Sequence, residues 1–503
     1  MFEVRRDPTL GRLVRSVLWP GFIGTQAPDW VLRALDDGLG GVVYFANNID
    51  AANPAQVRAL SARIHAANPD ALIGIDEEGG NITRLEATGG SSTPGNAVLG
   101  RIDDIEITEQ VAVQIGRLVA AAGIDVDIAP TVDVNSNPAN PVIGVRSFGA
   151  DTALVARHAA AYVRGIQRTG IAACPKHFPG HGDTSTDSHL DVATSNISIE
   201  KLQMVHLPPF VAAIQAGAKA IMSAHIRIPA LGELPATINE RSLSLLRELS
   251  FDGVLITDAL DMAAIRASVG TGRGAVDALK AGADLLCIGN PANGVTATGE
   301  GTDQLQFLEP LDAIYDALQG GELSIARLEE ATARNAALAA WRREQQNVPT
   351  DTVRRLDGAV LAERASLSIG DVHLRGSRLL VIDGRSRPSI AAGTNADFFT
   401  LALRERKTVA RADIGDLNEA DVSDWVRQAL ATPSDDVVLL VNQPQSSPLE
   451  AAVLGAVLAV RPDALVIYAG WPATGMPQAG RALLTYGTSQ ATAQAAATVL
   501  CGT

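Results

Sequence analysis

Three of the chain's eight histidines, His177, His181 and His189, fall within the stretch KHFPGHGDTSTDSH (176–189), beside Asp183 and Asp187. Pro179, Gly180 and Gly182 punctuate it, so neither a regular helix nor a strand can run through it and a loop is expected. Three chemistries fit such a loop. His-x3-His-x-Asp could coordinate zinc or iron. Asp187 and His189, two residues apart, could form an acid/base pair in which the carboxylate orients an imidazole that titrates near neutral pH. The histidines could also simply hold the loop by hydrogen bonds, a role that suits His181 as well as any chemical one.

Such a loop needs a scaffold, and the first 320 or so residues alternate short apolar runs with helical stretches. The runs are 16–22, 41–46, 71–76, 124–130, 171–177, 220–225, 253–258 and 284–289. They are continuous rather than alternating, as expected of parallel strands covered on both faces. Helical patterns lie between them at 54–67, 152–167 and 272–282. The expected fold is α/β: a (β/α)8 TIM-type barrel. Asp76, Lys176, His177, His225 and Asp258 all close their apolar runs, which puts them on the barrel's C-terminal face, where active sites of this fold lie. A long helix at 324–345 gives way to a polar, proline-containing segment. The expected domains are a barrel over 1–345, a linker over 346–359 and a smaller C-terminal α/β sandwich over 360–503, with strands at 377–383, 436–443, 464–470 and 481–487.

The bulk numbers exclude several classes. The formal net charge of −15 makes nucleic acid an unexpected partner, since a diffuse acidic surface repels phosphate backbones. No stretch reaches the roughly 18 apolar residues of a membrane span. The segment MFEVRRDPTLGRLVRSVLWPGF is charged and has no apolar leader-type core, so a cytoplasmic location is expected. The three cysteines are far apart, and Cys174 and Cys287 lie in apolar runs, where a thiol acts as a small buried hydrophobe rather than a disulfide partner. Nothing in the sequence assigns an oligomeric state.

The 176–189 loop resembles a signature of family 3 glycoside hydrolases, in particular their β-N-acetylglucosaminidase branch. The resemblance extends, in the family's order, to GIDEEGGNITRL (74–85), NPVIGVRSFG (140–149), MSAHIRIPAL (222–231) and FDGVLITDALDM (251–262). It implies a retaining double displacement in which Asp258 is the nucleophile and His189, assisted by Asp187, is the acid/base. It also implies sugar contacts from Asp76, Arg84, Arg146, Lys176 and His177, with Asp133 and His225 supporting or structural. No cofactor or metal is implied. The substrate class that follows is a GlcNAc-containing oligosaccharide or cell-wall muropeptide. The alternative is a phosphorylase that uses the same dyad with phosphate as acceptor. A metal-dependent hydrolase and a non-catalytic sugar-binding protein are the remaining readings. The sequence departs from the family's usual Asp-Gln-Glu-Gly-Gly-Arg form at Glu77 and Asn81, beside Asp76. With a histidine in the barrel loop, the C-terminal domain is expected to support the barrel rather than supply the acid/base.

Overall fold

The computed structural model describes residues 7–53, 55–184, 193–293, 301–345, 355–386, 396–472 and 479–502. Each of the eight apolar runs contains a strand: β1 (Leu18–Pro20), β2 (Gly41–Tyr44), β3 (Leu72–Ile75), β4 (Val126–Asp127), β5 (Ala172–Ala173), β6 (Ala220–Met222), β7 (Val254–Ile256) and β8 (Leu286–Gly289). All pair in parallel, as β8–β1, β2–β3–β4–β5 and β6–β7. Single bridges carry the order onward, Phe178 to Ser223 between the ends of β5 and β6, and Ile256 to Leu285 between β7 and β8. This is the strand order of a (β/α)8 barrel.

The continuous apolar runs have a direct physical cause, because every strand is covered twice. Val43, Leu72, Val126, Ala220, Val254 and Cys287 point into one cluster inside the ring. Val42, Ile73, Ile221, Leu255 and Leu286, one residue out of phase, pack outward against the helices. Trp19 of β1 fills the interior, its indole N–H donating to Leu72 O at 2.6 Å. Gly74 makes room for it, since a Cβ there would stand 2.2 Å from the ring. Cys174 and Cys287 are buried and unbridged, as small hydrophobes would be. The helices expected at 54–67, 152–167, 272–282 and 324–345 are present at Ala55–Ala67, Thr152–Gln167, Thr271–Ala281 and Ile325–Gln345.

The C-terminal part is a three-layer α/β unit. Its strands are β9 (Leu367–Ile369), β10 (Arg378–Asp383), β11 (Thr408–Asp413), β12 (Asp436–Val441), β13 (Leu465–Tyr468) and β14 (Ala482–Leu484). They run in the order β11–β10–β12–β13–β14–β9, with β9 alone antiparallel. Helices Val422–Leu430 and Pro448–Val460 cover one face, and helices Phe398–Arg404 and Gln490–Cys501 the other. The sequence reading lacks β9 and β11, the two edge strands. Most of the expected linker lies outside the described residues, and helix Gly358–Ala365 begins within its last two positions. Among the described residues no helix is long and apolar enough to cross a membrane.

Candidate active site

A pocket of about 220 Å3 opens at the C-terminal ends of the barrel strands, and Asp76, Arg84, Arg146, Lys176, His177 and Asp258 all line it. Each arrives by a different element. Asp76 directly follows β3, and Arg84 lies further along the same loop. Arg146 ends the short turn Gly144–Arg146 after β4, Lys176 and His177 follow β5, and Asp258 follows β7.

Charge pairing organises the floor. The Lys176 side chain is only 3% exposed, and its Nζ stands 2.6 Å from Asp76 Oδ1 and 2.7 Å from Glu78 Oε1. Arg146 closes the set with two bonds to Glu78, Nη2 to Oε1 at 2.7 Å and Nε to Oε2 at 3.1 Å. Arg84 Nη2 approaches Asp76 Oδ2 at 3.6 Å. Burial alone would raise both carboxyls. The Arg146 and Lys176 cations outweigh it and hold Glu78 well below the usual carboxylate range, and Lys176 with Arg84 holds Asp76 low in the same way. Lys176 responds in kind: burial favours its neutral amine, yet Asp76 and Glu78 raise its pKa. The result is a fixed array of ionised donors and acceptors, the kind that reads the directions of hydroxyl groups.

A second cluster sits beside it. His177 Nδ1 lies 2.8 Å from Asp133 Oδ2, and Asp133 Oδ1 accepts the His181 backbone N–H at 2.6 Å. His177 Nε2 therefore faces Arg146 Nη2, 3.5 Å away. His181 is buried, with Nδ1 2.9 Å from Thr184 Oγ1. Burial, with repulsion from His177, lowers its pKa to about 4 against the opposing pull of Asp133 and Asp258, so it is neutral at physiological pH. That environment fits the loop-holding role. Among the described residues no group of three or more His, Cys, Asp or Glu side chains is placed to hold a metal ion.

Asp258 lines the same pocket from a pinned turn. Its Oδ1 accepts the Ala259 N–H at 2.7 Å, and Leu260 N–H donates to Cys287 O at 2.9 Å. His225 lies beneath this turn, its Nε2 2.9 Å from Ala259 O and its Nδ1 2.9 Å from Thr237 Oγ1. His225 thus holds the backbone of the residue after Asp258 and is not among the residues that line the pocket.

His189 and Asp187 lie outside the described residues. The stems on either side of their segment are anchored. Asp183 accepts from Ser136 Oγ and Lys201 Nζ, both at 2.8 Å, and Asn140 Nδ2 donates to Thr184 Oγ1 at 3.2 Å. On the return side, Ala193 O and Ser195 N bond the backbone of Arg227.

Sequence reasoning gave no role to Glu78, the carboxylate shared by Lys176 and Arg146. Its only signal is its place directly before Gly79–Gly80, both at positive φ, in the same loop as Asp76. The two departures from the family form also have local partners. Glu77 Oε2 accepts the N–H groups of Arg84 and Leu85, both at 2.9 Å, and Asn81 Oδ1 accepts the N–H of Thr488 at 2.7 Å.

Residues 26–338 match the glycosyl hydrolase family 3 N-terminal domain. The chain is 35% identical over 325 residues to beta-hexosaminidase A of Pseudoalteromonas piscicida, a match that covers 60% of this chain and about half (53%) of that protein. It is 35% identical over 320 residues to the beta-hexosaminidase of Stenotrophomonas maltophilia, covering 62% of this chain and 88% of the relative. Its fold superposes on a glycoside hydrolase family 3 beta-N-acetylglucosaminidase from Paenibacillus sp. str. FPU-7 with a TM-score of 0.85 and 33% identity, covering 98% of this chain and 96% of that one. The family match spans well over half of the chain, and the protein belongs to glycosyl hydrolase family 3.

Proposed function

We propose that the protein is a retaining β-N-acetylglucosaminidase that releases terminal GlcNAc from cell-wall muropeptides or chito-type fragments. One observation carries the reading: Asp258 opens onto the same pocket as the ionised Asp76–Lys176–Glu78–Arg146 array, so a carboxylate faces the place where a sugar's hydroxyls would be held. The hexosaminidase names of the relatives support the choice of sugar.

In this reading the sugar sits with its hydroxyls on Asp76, Arg84, Arg146, Lys176 and His177. The Asp258 carboxylate attacks the anomeric carbon and forms a glycosyl ester as the bond to the leaving oxygen breaks. His189, oriented by Asp187, gives that oxygen a proton. Water then attacks the anomeric carbon of that ester, His189 takes its proton, the Asp258 carboxylate leaves, and the sugar is released with its configuration retained. The same reading sets the enzyme in the cytoplasm, acting on wall fragments taken up by the cell.

The test is the initial rate on nitrophenyl β-GlcNAc beside nitrophenyl β-glucoside, each with and without phosphate, with the released sugar identified. The expected result is preference for the GlcNAc substrate and free GlcNAc as product at a phosphate-independent rate. A sugar 1-phosphate at a rate rising with phosphate would replace hydrolysis by phosphorolysis, and turnover of neither substrate would overturn the reading.

A further inference from the structure

The loop that carries Asp76, Glu78 and Arg84 does not rest on the barrel alone. Thr488 N–H, just beyond β14 in the C-terminal unit, donates to Asn81 Oδ1 at 2.7 Å. Tyr486, two residues earlier, lines a small cavity together with Glu78, Asn81 and Arg146. Its backbone is left-handed (φ 54°), a conformation that costs a bulky residue energy and persists only where the surroundings enforce it. Arg101 lies over its ring at 5.9 Å. Further along the same loop, Ala491 N–H donates to Ser91 O at 3.3 Å, and a Cβ on Gly90 would meet the Phe398 ring at 2.6 Å. The C-terminal unit therefore touches this loop at successive points, nearest the pocket at Asn81.

We propose that the Tyr486–Thr488 turn is a positioning element for the sugar-binding loop and acts through Asn81, so that the C-terminal domain serves substrate binding without contacting substrate. The loop needs such a brace. Gly79 and Gly80 both take positive φ, which leaves the backbone between Glu78 and Asn81 unusually free in the absence of an outside hold. The Thr488–Asn81 bond supplies one on the far side of Gly80 from Glu78. Asn81 is also where the chain departs from the arginine of the commoner motif, and its amide oxygen is what the Thr488 N–H requires.

The inference rests on the sugar-binding role given above to Asp76 and Arg84, with Glu78 holding Lys176 and Arg146, and the experiment separates the two. Asn81→Ala and Asn81→Asp are compared with the full-length wild type in KM and kcat on the aryl glycoside it hydrolyses, and in amide hydrogen exchange over residues 77–92. Asn81→Ala removes the acceptor; KM is expected to rise about five-fold with kcat within a factor of two, matching the loss of one partly buried hydrogen bond. Exchange over 77–92 should quicken in the same variant. Asn81→Asp keeps an oxygen for Thr488 and should restore both. Unchanged KM and exchange in Asn81→Ala, or equal loss in both variants, would overturn the proposal. If the wild type turns over no glycoside, the functional reading fails, while the exchange comparison still decides whether Thr488 holds the loop.

Discussion

Asp133 fixes which face of His177 reaches the pocket. Its Oδ2 lies 2.8 Å from His177 Nδ1, so the ring donates there and presents Nε2 toward Arg146. Asp133 also takes the backbone N–H groups of His177, at 3.3 Å, and His181, at 2.6 Å. One buried carboxylate thereby sets the start of the histidine loop and the tautomer of its first imidazole.

Asp133→Asn should separate those tasks. The amide oxygen can still serve His181 N–H, but an NH2 group facing Nδ1 forces the opposite tautomer and turns Nε2–H toward the Arg146 guanidinium. A fall of about 10- to 100-fold in kcat/KM is expected, the size seen when an orienting partner of an imidazole is lost. Asp133→Ala should add a stability loss of about 3 kcal/mol, because buried N–H donors lose their acceptor. Steady-state kinetics with urea unfolding check both; an Asn variant with wild-type kinetics would remove the tautomer argument.

Glu77 gives a pH dependence with a definite sign. Burial outweighs its hydrogen bonds from Leu85, Thr83 and Arg84 and raises its pKa from 4.5 to about 7. Asp127, nearby at the end of β4, is raised as well, chiefly by burial and then by Glu77, and its Oδ2 has no hydrogen-bond partner among the described residues. The native state thus holds protons on Glu77 that the unfolded chain has released between pH 4.5 and 7. Stability must fall as pH rises through that window, by about 3 kcal/mol when complete. Glu77→Gln cannot titrate, so relative to wild type it should gain most of that amount between pH 5 and pH 8. Unfolding free energies at the two pH values measure the difference, and parallel pH profiles would contradict it.

Lys176 bridges two carboxylates, and its removal has consequences on both sides. In Lys176→Met the Asp76 and Glu78 groups lose a shared cation at 2.6 and 2.7 Å. The pKa of Asp76, which Lys176 does most to lower, should rise. The acid limb of the kcat/KM profile should then move to higher pH, with a fall of about 10- to 100-fold at its plateau, the cost of a lost charged hydrogen bond. An unshifted acid limb would mean that Arg84 alone sets the charge of Asp76.

Much of this arrangement is legible in the residues. Eight apolar runs read as strands because each is buried on both faces, and Asp76, Lys176, His177 and Asp258 stand out as charges that end such runs. The edge strands β9 and β11 escape notice for the opposite reason: Leu367–Ile369 is exposed and Thr408–Asp413 mixes polar and apolar residues, so neither leaves an apolar signature. Glu78 is hidden by its setting, since one acid among several in DEEGG shows no preference for a partner until Lys176 and Arg146 arrive from other strands. The Asn81–Thr488 bond joins residues more than 400 positions apart and has no local pattern at all.

The proposed division of labour between Asp258 and His189 makes a prediction that depends on the leaving group. Asp258→Ala removes the atom that bonds to the anomeric carbon, so turnover should fall by at least about 10^4-fold on every substrate, whatever its aglycone. His189→Ala removes only proton transfer. A nitrophenolate departs with little help from an acid, whereas a sugar alkoxide needs its proton, so the variant should lose about 10^2- to 10^4-fold on a natural glycoside and far less on the aryl one. Asp187→Ala should follow His189→Ala in pattern at smaller magnitude, because a misoriented imidazole still titrates. Rates on nitrophenyl β-GlcNAc and on a GlcNAc disaccharide measure the contrast. Equal losses on both substrates in His189→Ala would place the proton donor elsewhere in the pocket.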